Sequence, residues 1–231
     1  MHDINSYNSF SETHLGIKFN QIDLLITAFT HRSYVNEHRK SVKEHNERLE
    51  FLGDAVLELV VTEYLYNNYS EPEGILTNWR SALVRTESIG AAATRLGFEP
   101  LLRLSRGEKR GTPRARAQIL ANAFEAVIGA LYLDQGYDQA KEFIETHLLS
   151  TFEEILKSGS WMDPKSHLQE MVQSKEGHTP QYKVLSEEGP DHEKTFTVGI
   201  YVNGELRGKG TGPSKQAGQV AAAEKALADY K

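Results

Sequence analysis

The chain has 231 residues, 39% of them hydrophobic and 25% charged, which is enough apolar material for a core and leaves room for two domains, the second small. With 26 basic against 32 acidic residues the formal net charge is −6, which excludes a protein that coats nucleic acid by bulk electrostatics and leaves phosphate contact to local cationic clusters. Cysteine is absent, so disulfides and thiolate metal sites are excluded and any metal must be held by oxygen or imidazole.

Taken in chain order, Met1 to Phe10 is polar and lacks a signal-peptide layout, and no stretch reaches the roughly 18 apolar residues of a membrane span. A cytoplasmic protein with no membrane partner is expected. From Gln21 to about Leu156 apolar residues recur at helical spacing, as in Leu24, Leu25, Ala28 and Phe29, with turn signals at Glu71 to Gly74, Gly97 to Pro100, Gly107 to Pro113 and Gly136. The spacing predicts an all-α first domain.

Within it, Glu47, Glu50 and Asp54 fall at i, i+3 and i+7 and share one helical face. Stacked like charges repel, so either a cation such as Mg²⁺ neutralises them or they form a solvated acidic face countered by Arg48. Gly53, inside the same helix, marks a close approach by a ligand or another chain. Arg103, Arg106, Lys109, Arg110, Arg114 and Arg116 then form a cationic strip interrupted by Glu108 alone. Between Ala117 and Leu133 the only charge is Glu125, with Asn122 one turn earlier on the same face. A helix this apolar is buried, and an ionised Glu there needs a cation, a hydrogen-bonding partner such as an internal Arg, or a raised pKa. Two helices aiming oxygen ligands inward are the way helical proteins build carboxylate metal sites.

Lys157 to Ser160 is short, polar and flexible in composition, and Asp163-Pro164 reads as a helix start. The expected division is therefore a helical domain over 1–157, a flexible linker over 158–162 and a second domain over 163–231. In the second, a helix over about 164–175 precedes strands over Gln181 to Glu187, Thr195 to Val202 and Glu205 to Gly212, and a helix over about Ser214 to Tyr230 closes it. This is a small α+β domain of order α-β-β-β-α. Its Gly208 to Pro213 run leads into Ser214 and Lys215, where free helix N–H groups and a cation point the same way, an arrangement suited to phosphate. No H-E-x-x-H spacing occurs among the nine histidines, and His31, His38 and His45 read as structural or surface residues. The phosphate-cradling G-x-x-x-x-G-K-[ST] loop is also missing.

Asn46 to Ala55 (NERLEFLGDA), flanked by Thr30 to Tyr34, Glu73 to Thr77 and Ile119 to Ala130, resembles the signature of the ribonuclease III family, and the second domain resembles a double-stranded-RNA-binding domain. The resemblance runs through essentially the whole chain. It implies an endoribonuclease domain that hydrolyses double-stranded RNA through a metal-activated water, leaving 5′-phosphate and 3′-hydroxyl ends with short 3′ overhangs, in processing of rRNA and mRNA precursors. It also implies Glu50, Asp54 and Glu125 as catalytic ligands of Mg²⁺, with Mn²⁺ able to substitute, and Asn122 as a further ligand. Glu47 and Glu73 are placed near the substrate, Gln169, Glu170 and His192 on the minor grooves, and Ser214 and Lys215 on phosphates. A homodimer follows, with Phe51 entering a partner pocket and no small-molecule cofactor. Asn122 stands where the family normally has Asp, and an amide offers a carbonyl oxygen without a charge. That departure keeps two alternatives open: a double-stranded-RNA-binding protein with weak or lost cleavage, and an RNA-assembly factor with a nuclease-like domain.

Overall fold

A computed structural model describes residues 4–190 and 193–228. They divide at 157/158 into two compact units. The first is helical: α1 (Ile4–His14), α2 (Ile22–Ala28), α3 (Arg32–Glu37), α4 (Glu47–Asn68), α5 (Glu73–Val84), α6 (Thr86–Arg95), α7 (Pro113–Gln135), α8 (Tyr137–His147) and α9 (Phe152–Ser158). The second runs α10 (Pro164–Glu176), β1 (Gln181–Glu188), β2 (Thr195–Val202), β3 (Glu205–Gly212) and α11 (Lys215–Ala228), with one antiparallel sheet in the order β1-β2-β3. The all-α plus α-β-β-β-α reading of the sequence holds. Among the described residues no helix is long and apolar enough to cross a membrane.

The helical unit is built around α4 and α7, which pack on each other more extensively than any other pair of helices. Their starts are fixed in different ways. Asn46 is buried before α4, where its backbone N–H donates to Thr30 O (2.9 Å) and its side-chain Nδ2 to Ala28 O (3.2 Å). The start of α4 is thereby tied to the end of α2. Helix α7 starts at Thr112, whose hydroxyl oxygen accepts from Ala115 N (3.2 Å), with Pro113 in the first turn. Along α7 every residue from Ala126 to Leu131 is buried, so this helix is the axis of the core.

Where α4 and α7 cross, two glycines replace side chains. A Cβ on Gly53 would overlap the carbonyl oxygen of Glu125, and one on Gly129 would overlap the carbonyl oxygen of Leu49. The crossing therefore requires both. Gly53 reads in the sequence as a close approach by a ligand or another chain, and what approaches it in the structure is instead α7 of the same chain.

One element departs from the sequence expectation. The polar-looking N-terminus forms α1, whose Tyr7 and Phe10 are buried against Phe29, and Tyr7 donates its hydroxyl hydrogen to Leu101 O (3.0 Å). Two aromatics three apart, with Ser11 beside them, suffice for a short buried stripe when most of the helix stays in water.

In the second unit, Leu168, Val172, Ile200, Val202, Ala222, Ala223 and Ala226 form the core. The hairpin between β2 and β3 turns on Asn203 and Gly204, both with positive φ (49° and 82°), which suits the twist of a two-residue connection. Gly208, Gly210 and Gly212 alternate along β3, and a Cβ on any of them would press into α11. That glycine row lets α11 lie on the sheet. At the start of the second unit, Met162 N donates to Gly159 O (3.1 Å), and buried Gly159, with φ 66°, lies against the His167 ring.

Substituting Gly129→Ala should lower the stability of the helical unit by about 1–3 kcal/mol, because neither backbone at the crossing has room to give. Gly74→Ala, where an added Cβ meets nothing within 4 Å, should change it by less than about 0.5 kcal/mol. Urea titrations followed by helical circular dichroism measure both; equal effects would contradict the crossing.

Candidate active site

The α4–α7 crossing places four polar side chains around one spot. Glu50 and Asp54 lie one turn apart on α4, and Asn122 and Glu125 are three apart on α7, whose Glu125 carbonyl faces Gly53. Glu125 and Glu50 are half-buried and Asp54 is exposed. Burial pushes the Glu125 carboxyl up from 4.5 to about 8, with the negative charges of Asp54 and then Glu50 adding to the rise. Burial likewise raises Glu50, helped by Glu47 and Asp54 and opposed by a hydrogen bond from Asn122. No cation contributes to either shift, and among the described residues Glu125 has no ion-pair partner. The internal-Arg explanation of Glu125 therefore drops out.

Among the described residues no three acidic or histidine side chains are already gathered as a metal cage. The donor set nevertheless fits a hard divalent cation: three carboxylates and an amide oxygen, on two backbones held together, whose mutual repulsion a bound cation would relieve. The Asn122 Oδ1 accepts a hydrogen bond from Gln118 Nε2 (2.7 Å), a neighbour that sequence reasoning had not singled out.

Of the two other acids expected near the substrate, Glu47 stays beside Glu50 and Glu73 lies apart. Glu47 pairs with Arg32 (3.3 Å) and lies 3.8 Å from His45. Glu73, at the start of α5, accepts from Thr77 (3.1 Å) and lines a cavity of about 450 Å³ with Thr62, Leu65 and Tyr66. Tyr66 is sixteen residues beyond Glu50 on α4, which at 1.5 Å per residue is about 24 Å. In one chain Glu73 is thus far from Glu50. Phe51, next to Glu50, is 82% exposed, an uncompensated apolar ring on the surface of the helical unit.

Histidines near the site do structural work. The His31 ring accepts from Ser33 N (3.2 Å) and caps α3, and burial lowers its pKa. His38 stacks on Tyr34 with centroids 4.0 Å apart. The cationic strip also divides. Arg103 lies over the Tyr34 ring (4.5 Å), and Arg116 pairs with Glu99 (3.4 Å) and donates to Glu108 O and Lys109 O. Arg106, Lys109, Arg110 and Arg114 stay exposed.

In the second unit the Ser214 hydroxyl oxygen accepts from Ala217 N (3.1 Å), so it serves as the cap of α11. Lys215 pairs with Glu187 (3.0 Å) and lies over the Phe196 ring (5.7 Å); Glu187 and Phe196 are register partners in the sheet. Gln169 and Glu170 are exposed on α10, and Gln169 lines a cavity of about 520 Å³ with Tyr182 and Gln216. His192 lies outside the described residues.

Comparison with known proteins follows this division. Residues 21–152 match the family model described as ribonuclease-III-like, and residues 164–230 match the double-stranded RNA binding motif. A protein named Ribonuclease 3 from Oceanobacillus iheyensis is 47% identical over 94% of this chain and 95% of its own length. Another of that name, from Enterococcus faecalis, is 47% identical over 92% of each. The nuclease domain of ribonuclease III from Campylobacter jejuni, solved in a study of flexibility in its dimer-forming region, superposes with a TM-score of 0.53 and 39% identity, covering 60% of this chain and 96% of that one.

The Glu125 shift has a testable sign. Between 4.5 and about 8 the folded chain keeps a proton that the unfolded chain has lost, so stability falls as pH rises through that window and the penalty is complete above it. In metal-free buffer the melting temperature of Glu125→Gln should therefore gain on that of the unsubstituted protein between about pH 5.5 and about pH 8.5. Scanning calorimetry at the two values decides; parallel curves would rule out the shift.

Proposed function

The chain belongs to the ribonuclease III family, and from that premise we propose how its two units divide the work of cutting double-stranded RNA. It is an endoribonuclease that acts on duplex RNA and carries a double-stranded-RNA-binding domain. The alternative of an RNA-binding protein without cleavage is not favoured.

Glu50, Asp54 and Glu125 are proposed as the catalytic carboxylates, and together with Asn122 they would hold Mg²⁺, with Mn²⁺ able to substitute. The observation that carries this reading is Glu125: an acid pushed to about 8 by burial and by two neighbouring acids, with no cation among the described residues to balance it. When bound, the ion supplies Lewis-acid chemistry, lowering the pKa of a water and stabilising charge on the leaving 3′ oxygen. The protein's part is to fix the donors. The helix crossing holds Glu125 against Glu50 and Asp54, Asn122 steadies Glu50, and Glu125 gives up its proton as positive charge arrives. No side chain is needed as a covalent nucleophile, and hydrolysis leaves a 5′-phosphate and a 3′-hydroxyl.

The proposed active form is a two-fold homodimer in which Phe51 enters a pocket of the second copy, because 82% exposure of such a ring is unfavourable in an isolated chain. Each copy cuts one strand, which accounts for short 3′ overhangs. Glu73 can join the catalytic valley only across the two-fold, given its distance along α4 from Glu50, while Glu47 lies beside the site within one chain. In the second unit, the start of α11 with Ser214 and Lys215 is proposed for phosphates, and Gln169, Glu170 and His192 for 2′-hydroxyls in the minor grooves. Lys215 must leave Glu187 to reach a phosphate. Substrates of this shape-reading kind include stems in rRNA and mRNA precursors.

With long duplex RNA and Mg²⁺, the unsubstituted protein should cut, and Glu125→Ala should lose at least about 100-fold in rate while still shifting the duplex in a gel. Undiminished cutting by Glu125→Ala would remove Glu125 from the site. Lys215→Gln should weaken duplex binding across sequences and reduce the slope of log K against log salt by about 1. An unchanged slope would take Lys215 off the phosphates.

A further inference from the structure

Lys215 carries its charge at the unfavourable end of a helix. It is the first residue of α11, where the aligned backbone dipoles favour an anion and disfavour a cation, so an ammonium there gains most from a negative partner close by. In the RNA-free chain that partner is Glu187, whose Oε1 lies 3.0 Å from Lys215 Nζ. The sheet builds the seat. Glu187 on β1 and Phe196 on β2 are register partners, and the ammonium that pairs with the carboxylate also lies 5.7 Å from the centre of the Phe196 ring. A carboxylate and an aromatic face together hold the lysine toward the strands.

A phosphate offers Lys215 what Glu187 offers it. Both are anions that accept from an ammonium, and a lysine that reaches out to the one gives up the other. We propose that Glu187 is a positioning residue that acts on duplex binding through Lys215, as an internal competitor: it occupies the ammonium in the free chain, and its displacement sets the affinity for RNA below what the lysine alone would give. The inference rests on the assignment of Lys215 to phosphates. What it adds is an acid that governs the strength of binding, on a strand that supplies none of the proposed RNA contacts. Both partners are partly exposed, so water screens the pair and its loss shifts affinity by a few-fold and not by orders of magnitude. Such a pair tempers the grip without blocking it.

Glu187→Gln keeps the shape of the side chain and removes its charge. Affinity for an RNA duplex of about 20 base pairs, longer than the roughly 16 that one such domain spans, is measured on the full chain in EDTA buffer, with the duplex checked to be intact. The unsubstituted chain, Glu187→Gln, Lys215→Gln and the double variant make up a cycle. With Lys215 present, Glu187→Gln should tighten binding roughly two- to fourfold. In the Lys215→Gln background the competitor has nothing to hold, and the gain should fall below about 1.5-fold. Equal gains in both backgrounds would overturn the proposal, since they mark a general loss of negative charge near the RNA, and so would no gain in either. In the RNA-free chain the ring resonances of Phe196 should move in Glu187→Gln as the ammonium leaves its seat; unmoved resonances would overturn the proposal as well. Unchanged affinity in Lys215→Gln is a different failure, because it would refute the assignment of Lys215 to phosphates and the proposal with it.

Discussion

Two backbones in contact at a pair of glycines bring together the acids proposed as catalytic in this chain. Because Gly53 and Gly129 carry no side chains, α4 and α7 approach until the carbonyls of Glu125 and Leu49 fill the space where Cβ atoms would be. Acids that are far apart in sequence then share one neighbourhood, at a depth where each raises the pKa of the next. The repulsion is held by the fold, since separating the acids means separating the core. Residues Ala126 to Leu131 are buried immediately beyond Glu125, and Val56, Leu57, Val60 and Val61 beyond Asp54, so the apolar packing of the two helices sustains the polar arrangement at their crossing.

A net charge of −6 leaves little basic surface to spare. Part of the strip that looks like nucleic-acid-binding surface is architectural: the Arg103 backbone bonds to Phe29 and His31 and its side chain covers Tyr34, while Arg116 fastens the loop before α7. In the second unit Lys215 is tied to Glu187 by an ion pair with both partners partly exposed, a contact of the kind that contributes little and exchanges readily for a phosphate. Recognition of a duplex by shape suits such a surface, because it needs a few placed contacts and not a high charge density.

Much of this was legible in the sequence, for physical reasons. Helical spacing from Gln21 onward, the Asp163-Pro164 start and the alternation in β1 to β3 are local signals, and the elements formed where those signals stand. The acids were legible because Glu47, Glu50 and Asp54 repel along one face and because Glu125 is the lone charge in an apolar helix. What escaped depends on partners distant in the chain. Tyr7 and Phe10 become core only because Phe29 and Leu101 receive them. Gly129 looks like any small residue of a buried helix until Leu49 is placed against it. The hydrogen bond from Gln118 to Asn122 and the engagement of the Ser214 hydroxyl in capping α11 are side-chain contacts that spacing does not disclose. The remoteness of Glu73 from Glu50 within one chain likewise appears only once α5 is set at the far end of α4.

The account turns on acids from α4 and α7 acting as one cation site that holds a proton until the cation comes. Titration of the metal-free protein with Mn²⁺ at about pH 7, in two buffers of different ionisation enthalpy, counts the protons released per ion bound. The account predicts a release approaching one proton, lost in Glu125→Gln. Binding without proton release, or release that persists in that variant, would contradict it.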